Sequence, residues 1–86
     1  MKLEPVLEEL EGAAEKLAVK VRYEPLATTV GHGGLCKVNG EYRVIIDKRA
    51  STAERVATLA KSLGALDTSG LFLSPRARQT LQRYAA

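Results

Sequence analysis

The residues best suited to metal or thiol chemistry are His32 and Cys36, which lie four positions apart. Both are common zinc ligands, but a structural zinc site needs four ligands and this chain has one His and one Cys. A symmetric dimer would supply the other two. Without a second pair, the spacing favours a surface His and a small half-buried Cys over a metal site. For Cys36 to act as a nucleophile, His32 would have to serve as its base from a flexible loop, so we expect no catalytic role.

The glycine-rich stretch Gly31-His32-Gly33-Gly34 is the second candidate for chemistry. A phosphate-binding loop requires a Lys-Ser/Thr pair and a helix directly after its glycines, and neither follows here. We therefore interpret this stretch as a connection, with a ligand loop as the alternative. The carboxylates of Glu8, Glu9 and Glu11 predict a solvated helix face and not an acid/base pair.

Apolar periodicity predicts the elements that must position these residues. They are a helix over Leu3–Leu17, a strand over Val19–Glu24, hairpin arms over Leu35–Val38 and Glu41–Asp47, and helices opened by Ser51 and by Ser74-Pro75. We expect one α+β domain over residues 1–86, in the order α-β-β-β-α-α. Its core would be a small antiparallel sheet of about three strands, with helices packed on one face.

The hairpin is the most specific of these predictions. Asn39-Gly40 between two apolar-rich arms favours a type I′ turn, which pairs Val38 with Glu41 and Leu35 with Val44. This register predicts a core face made of Leu35, Tyr42, Val44 and Ile46. It places Cys36, Val38, Arg43 and Ile45 on the other face. The apolar members of that second face indicate that it is covered as well, by a second subunit.

Two further local patterns complete the outline. Ser51 and Glu54 match a capping box, and the helix that follows should bury Ala53, Val56, Leu59, Ala60 and Leu63. The apolar run Leu71-Phe72-Leu73 is expected to return to the core before the last helix. That helix should turn Ala77, Leu81, Tyr84 and Ala85 to one side.

The hairpin and the capped helix resemble the N-terminal core of the ImmA/IrrE-type metallopeptidase-like family. The resemblance covers Val19–Ala65 and is carried by three segments. They are Tyr42-Arg43-Val44-Ile45-Ile46-Asp47, Ser51-Thr52-Ala53-Glu54-Arg55 and Thr58-Leu59-Ala60-Lys61-Ser62-Leu63-Gly64-Ala65. In the third segment the family carries H-E-x-x-H, whose two His bind Zn²⁺ while the Glu acts as general base.

This chain departs from the family at every position of that motif. By the resemblance, Lys61 stands at the first His, Ser62 at the Glu and Ala65 at the second His. An ammonium group repels a cation, a methyl group offers no ligand, and a serine hydroxyl is a poor base at neutral pH. The resemblance therefore implies a scaffold that retains neither a catalytic residue nor a metal, and we expect no cofactor.

Charge and hydropathy bear on the location and the partners of the protein. The net charge is +3, and Arg76, Arg78 and Arg83 lie near the end without an acidic residue among them. On a helix Arg76 and Arg83 lie close together, while Arg78 is displaced by about 200° from Arg76. Since no aromatic residue is interleaved for base stacking, a solubilising helix face is favoured over nucleic-acid contact. No apolar run is long enough for a membrane span, and a free Cys without an export signal predicts the cytoplasm.

Three functions follow as hypotheses. The first is a non-enzymatic domain that acts through protein contacts, mainly self-association through Cys36, Val38 and Ile45. The second is a nucleic-acid-associated regulatory module that uses the basic last helix. The third is an enzyme or metal protein built on His32 and Cys36.

Overall fold

The computed structural model describes residues 2–25 and 33–84, which form three helices and three strands. The helices are α1 (Glu4–Lys16), α2 (Thr52–Gly64) and α3 (Pro75–Tyr84), and the strands are β1 (Lys20–Glu24), β2 (Gly33–Val38) and β3 (Glu41–Asp47). The predicted α+β class and the order α-β-β-β-α-α are confirmed. Within these ranges, none of the helices is long and apolar enough to cross a bilayer.

The hairpin of β2 and β3 has the predicted turn and register. Asn39 and Gly40 have φ values of 51° and 81°, a left-handed conformation that a type I′ turn requires and that these two residue types tolerate. Val38 pairs with Glu41 and Leu35 with Val44, as expected. The strand β2 begins at Gly33, two residues earlier than predicted, so Gly33 and Gly34 belong to the sheet and not to a loop. Residues 31 and 32 lie outside the described ranges.

The sheet is mixed, not antiparallel throughout as predicted. Its strand order is β1-β3-β2, and β1 runs parallel to β3, with Val21 beside Val44 and Tyr23 beside Ile46. The expectation failed because the direction of β1 depends on which free edge of the hairpin it joins. Joining β3 places the most apolar strand in the centre, where both of its edges are hydrogen-bonded. That arrangement suits the continuous Val-Ile-Ile run of β3.

The core lies between one face of the sheet and the helices. Val44 and Ile46 are fully buried there, and Leu35 and Tyr42 pack partly buried against the same cluster, so the predicted core face is confirmed. The helices contribute the rest of the fully buried large side chains, namely Leu10 of α1 and Leu59 and Leu63 of α2.

The helix α2 starts with the predicted capping box. The Ser51 hydroxyl accepts the Glu54 N–H at 3.2 Å, and the Glu54 carboxylate accepts the Ser51 N–H at 2.8 Å. One burial prediction is wrong, since Ala53 is exposed: the first turn of α2 extends beyond the core cluster, which begins at Val56. Ser62, which was not predicted to be buried, is only 6% exposed.

The connection between α2 and α3 differs from expectation at its aromatic residue. Leu71 and Leu73 pack against the core as predicted, but Phe72 is 96% exposed. Leu71 and Leu73 both turn toward the core, so the side chain of Phe72 between them points to solvent. The last helix then begins at Pro75, with the Ser74 hydroxyl accepting the Ala77 N–H at 3.2 Å.

Candidate functional site

Lys61, Ser62 and Ala65, the three positions singled out in the sequence, all line one groove. Lys61 and Ser62 lie in the last turns of α2, and Ala65 is its C-cap. The groove has a volume of about 620 Å³ and runs between α2, the outer edge of β2 and the end of α3. Its other walls are formed mainly by small residues and one aromatic ring: Gly34, Leu35, Ala50, Ala57, Thr58 and Tyr84. The three positions lie together because they are one and four residues apart at the end of one helix, and the packing of β2 and α3 beside that helix places them in a shared groove.

The chemistry of that groove face is limited. Lys61 and Ala65 are exposed, while Ser62 is buried and its hydroxyl donates to the Thr58 carbonyl oxygen at 2.8 Å. A serine hydroxyl in a helix commonly donates to the carbonyl oxygen four residues earlier, and its proton is then not available to a ligand. The three positions thus present an ammonium group, a methyl group and a hydroxyl whose proton is already donated.

The sheet face opposite the core carries the predicted interface residues. Cys36 and Ile45 are half-buried and Val38 is 40% exposed, and none of the helices in the described ranges packs over them. Cys36 is a free thiol, paired in register with Arg43 of the central strand. We call Cys36, Val38, Arg43 and Ile45 the open sheet face.

Charged side chains rim this face. Glu41 accepts from both Lys20 and Arg43 at 3.5 Å, and Arg22 lies 3.4 Å from Glu24. Pairs this exposed contribute little to stability. The Arg43 Nε is different, because it is shielded from solvent and donates no hydrogen bond within the described residues. The open sheet face therefore combines apolar side chains with a half-buried guanidinium whose Nη2 donates to Glu41.

Of the two residues considered as metal ligands, only Cys36 lies within the described residues. His32 lies outside the described residues, so the preference for a surface His over a metal ligand stays a prediction, while Cys36 is half-buried as expected. Within 2–25 and 33–84, no three His, Cys, Asp or Glu side chains cluster closely enough to hold a metal ion. Asp47 accepts the Arg49 N–H at 3.0 Å, which is a turn contact.

The arginines of the last helix separate into two groups. Arg76 and Arg83 are exposed on α3. Arg78 is half-buried, and its guanidinium donates to the carbonyl oxygens of Thr68 at 3.1 Å and Leu71 at 2.7 Å. The structure therefore places Arg76 and Arg83 on the surface and uses Arg78 to hold the preceding connection.

A cluster around Tyr23 was missed by the sequence reasoning. The Tyr23 hydroxyl donates to the Glu11 carboxylate, and the Arg55 guanidinium lies 4.8 Å from the centre of the Tyr23 ring. Burial, and then the hydrogen bond to Glu11 and its negative charge, raise the pKa of Tyr23 well above its ordinary value, against a smaller opposing effect of Arg55.

Arg55 also ties this cluster to the end of the sheet. Its Nε donates to the Ala50 carbonyl oxygen and its Nη2 to the Lys48 carbonyl oxygen, both at 3.0 Å. The position of Arg55 in the first turns of α2 is a signal that could have revealed this cluster. A positive charge near the start of a helix is disfavoured by the helix dipole, so an arginine there indicates a tertiary partner.

Comparison with known proteins adds no relative: no family model, no curated protein and no solved structure matches the chain.

Proposed function

We propose that this protein is a non-enzymatic domain that binds a second copy of itself through the open sheet face. The observation that carries the proposal is the grouping of Cys36, Val38 and Ile45 on a sheet face that no helix of the described ranges covers. A sheet with one face on the core normally turns polar residues to water on the other. Removing apolar surface from water contributes about 25 cal/mol per Å² buried, so covering this face favours association.

Arg43 supports the same surface. Its half-buried side chain lies in the central strand, opposite Cys36, and its Nη2 donates to Glu41 at 3.5 Å. Arginine is enriched in protein interfaces, because its planar group offers both contact area and several hydrogen-bond donors. A symmetric dimer uses the same patch twice, so a single surface of this kind is sufficient.

The non-enzymatic part of the proposal rests on Lys61, Ser62 and Ala65. On a metallopeptidase-like scaffold these positions would hold the zinc ligands and the base, and here they carry groups unsuited to either role. We propose that the groove is a remnant of such a site. The free Cys36 thiol favours a reducing, cytoplasmic setting for the protein.

The test is the mass of the protein in solution, measured by light scattering after size exclusion from low to high micromolar concentration. We expect twice the monomer mass at the upper end, and a monomer for Val38→Lys and for Ile45→Lys. Circular dichroism would establish that both variants are folded. Val38 is near the hairpin turn and already partly exposed, so it should tolerate the change even if Ile45 does not.

The matched control is Phe72→Ser. It removes a far more exposed apolar side chain from a different surface and should leave the dimer intact. A wild-type monomer at every concentration would refute the proposal, as would a folded Val38→Lys variant that still dimerises.

A further inference from the structure

Phe72 is the most exposed large apolar side chain of the described residues, at 96%. It lies between Leu71 and Leu73, which both pack against the core, so its outward direction follows from the fold. Exposed aromatic side chains are common in binding sites, where the flat ring offers a large hydrophobic contact surface to a partner.

The segment that carries Phe72 is fastened on both sides. Before it, Arg78 donates to the carbonyl oxygens of Thr68 and Leu71. After it, the Ser74 N–H and hydroxyl donate to the Glu9 carboxylate of α1 at 2.5 Å and 2.8 Å. The ring is therefore held out by a connection that is anchored to two helices, and little conformational entropy would be lost when a partner binds it.

A basic stripe begins directly after this segment. Arg76, Gln79 and Arg83 are exposed on α3, and at 100° per residue they share the side turned away from the buried Ala77 and Leu81. Arg76 and Arg83 are about 10 Å apart along the helix axis, from 1.5 Å of rise per residue. The Cα atoms of Phe72 and Arg76 cannot be more than about 14 Å apart, because Arg76 is only four positions further along the chain.

The charges around this patch favour an anionic ligand. The helix α3 carries three arginines and no acidic residue. Two nearby carboxylates are engaged by the fold: Glu9 accepts from Ser74, and Asp67 accepts from the Ser69 N–H and hydroxyl at 3.0 Å and 2.6 Å. The guanidinium groups of Arg76 and Arg83 remain directed to solvent.

We propose that Phe72, Arg76 and Arg83 form a binding site for single-stranded nucleic acid. A base would stack on the Phe72 ring, and the backbone phosphates would follow the two arginines along α3. Single strands bind through this combination of an aromatic platform and a positive track, and a duplex offers no unstacked base. An apolar pocket on a protein would also accept Phe72, but the chain's net charge of +3 and the absence of acids on α3 favour phosphate. The site shares no residue with the open sheet face.

The test is fluorescence anisotropy of a labelled oligothymidine strand, titrated over a range of salt concentrations. Phe72→Ala should weaken binding about 5- to 150-fold, the range expected for losing one stacked base. It should leave the salt dependence unchanged. The Arg76→Ala/Arg83→Ala variant should lower the slope of log affinity against log salt by about 1.4, since each phosphate contact on a single strand contributes about 0.7.

Two matched controls test whether binding depends on the aromatic ring and on the charges of α3. They distinguish these from general apolar contact and from the overall charge of the protein. Phe72→Leu keeps an apolar side chain without a π-face and should bind as weakly as Phe72→Ala, whereas Phe72→Tyr should retain most of the affinity. Arg49→Ala removes one exposed positive charge outside α3 and should leave the slope unchanged. Each of the substituted side chains is exposed, so thermal melts of the variants should be close to wild type.

Three results would overturn the proposal. The first is no binding of the strand at low salt, which would make a protein pocket the better explanation of Phe72. The second is equal binding by Phe72→Leu and wild type. The third is a slope change for Arg49→Ala as large as that for the Arg76→Ala/Arg83→Ala variant.

Discussion

Arg55 is the residue whose loss should reveal most about how this fold is held together. It contacts the Tyr23 ring of β1 and donates two hydrogen bonds to the backbone that links β3 to α2. One side chain of α2 thereby joins that helix to β1 and to the linker between β3 and α2. Arg55→Ala would leave the carbonyl oxygens of Lys48 and Ala50 without that donor and would leave the Tyr23–Glu11 pair without its neighbouring cation.

The expected magnitude follows from the contacts. Two hydrogen bonds from a half-buried guanidinium contribute about 1–1.5 kcal/mol each, and the cation–π contact adds about 0.5–1 kcal/mol, for a total of about 2.5–4 kcal/mol. A domain of 86 residues has a free energy of unfolding of about 4–13 kcal/mol. The substitution should therefore remove a large share of the stability.

Urea unfolding followed by circular dichroism measures this loss. With an m-value of about 1 kcal/mol per molar, the midpoint should fall by about 2.5 M or more, with m unchanged. Arg55→Lys keeps a charge near the ring but loses the planar fork, so its loss should be intermediate. Arg49→Ala is the control, since Arg49 is exposed and, within residues 2–25 and 33–84, only its backbone N–H is hydrogen-bonded. If Arg55→Ala loses no more stability than Arg49→Ala, the reasoning is wrong.

Three further predictions concern single contacts. The pKa of Tyr23 is higher in the folded state than in the unfolded state, so its protonated hydroxyl stabilises the fold below pH about 10. That contribution is lost as the pH rises further. The difference in unfolding free energy between wild type and Tyr23→Phe, measured by paired urea titrations, should therefore shrink above pH about 10. Ser74→Ala removes the helix cap and the hydroxyl bond to Glu9, while the backbone N–H bond to Glu9 remains. It should cost about 0.5–2 kcal/mol, whereas a midpoint equal to wild type would contradict the observed cap. Leu59→Ala opens a cavity at a fully buried position of α2 and should cost about 2–5 kcal/mol in the same assay, with a smaller loss indicating that the core collapses around it.

The parts of the fold that could be predicted depend on contacts between residues close in the chain. The Asn39-Gly40 turn determines the hairpin register, and Ser51 with Glu54 determines where α2 begins, because each pattern satisfies its own hydrogen bonds within four residues. Apolar periodicity was enough to place α1 and the core face of β3. These features would be expected in almost any tertiary context.

The candidate sites depended more on packing. Residue spacing alone placed Cys36, Val38 and Ile45 on one face, since alternation along a strand is a local property. Residue spacing could not show that Arg78 donates hydrogen bonds to the connection between α2 and α3, or that Phe72 is exposed to solvent. Each of those outcomes requires knowing which of several apolar residues the core accepts.

Local sequence therefore determined the secondary structure, the hairpin register and the helix caps of this protein. The tertiary structure alone decided that β1 joins β3 in parallel, that Arg55 lies over Tyr23, and that Phe72 faces solvent beside a basic helix. The physical reason is that strand pairing and side-chain packing bring together residues far apart in the chain. Which of them meet depends on the burial of the whole core, and no short segment encodes that choice.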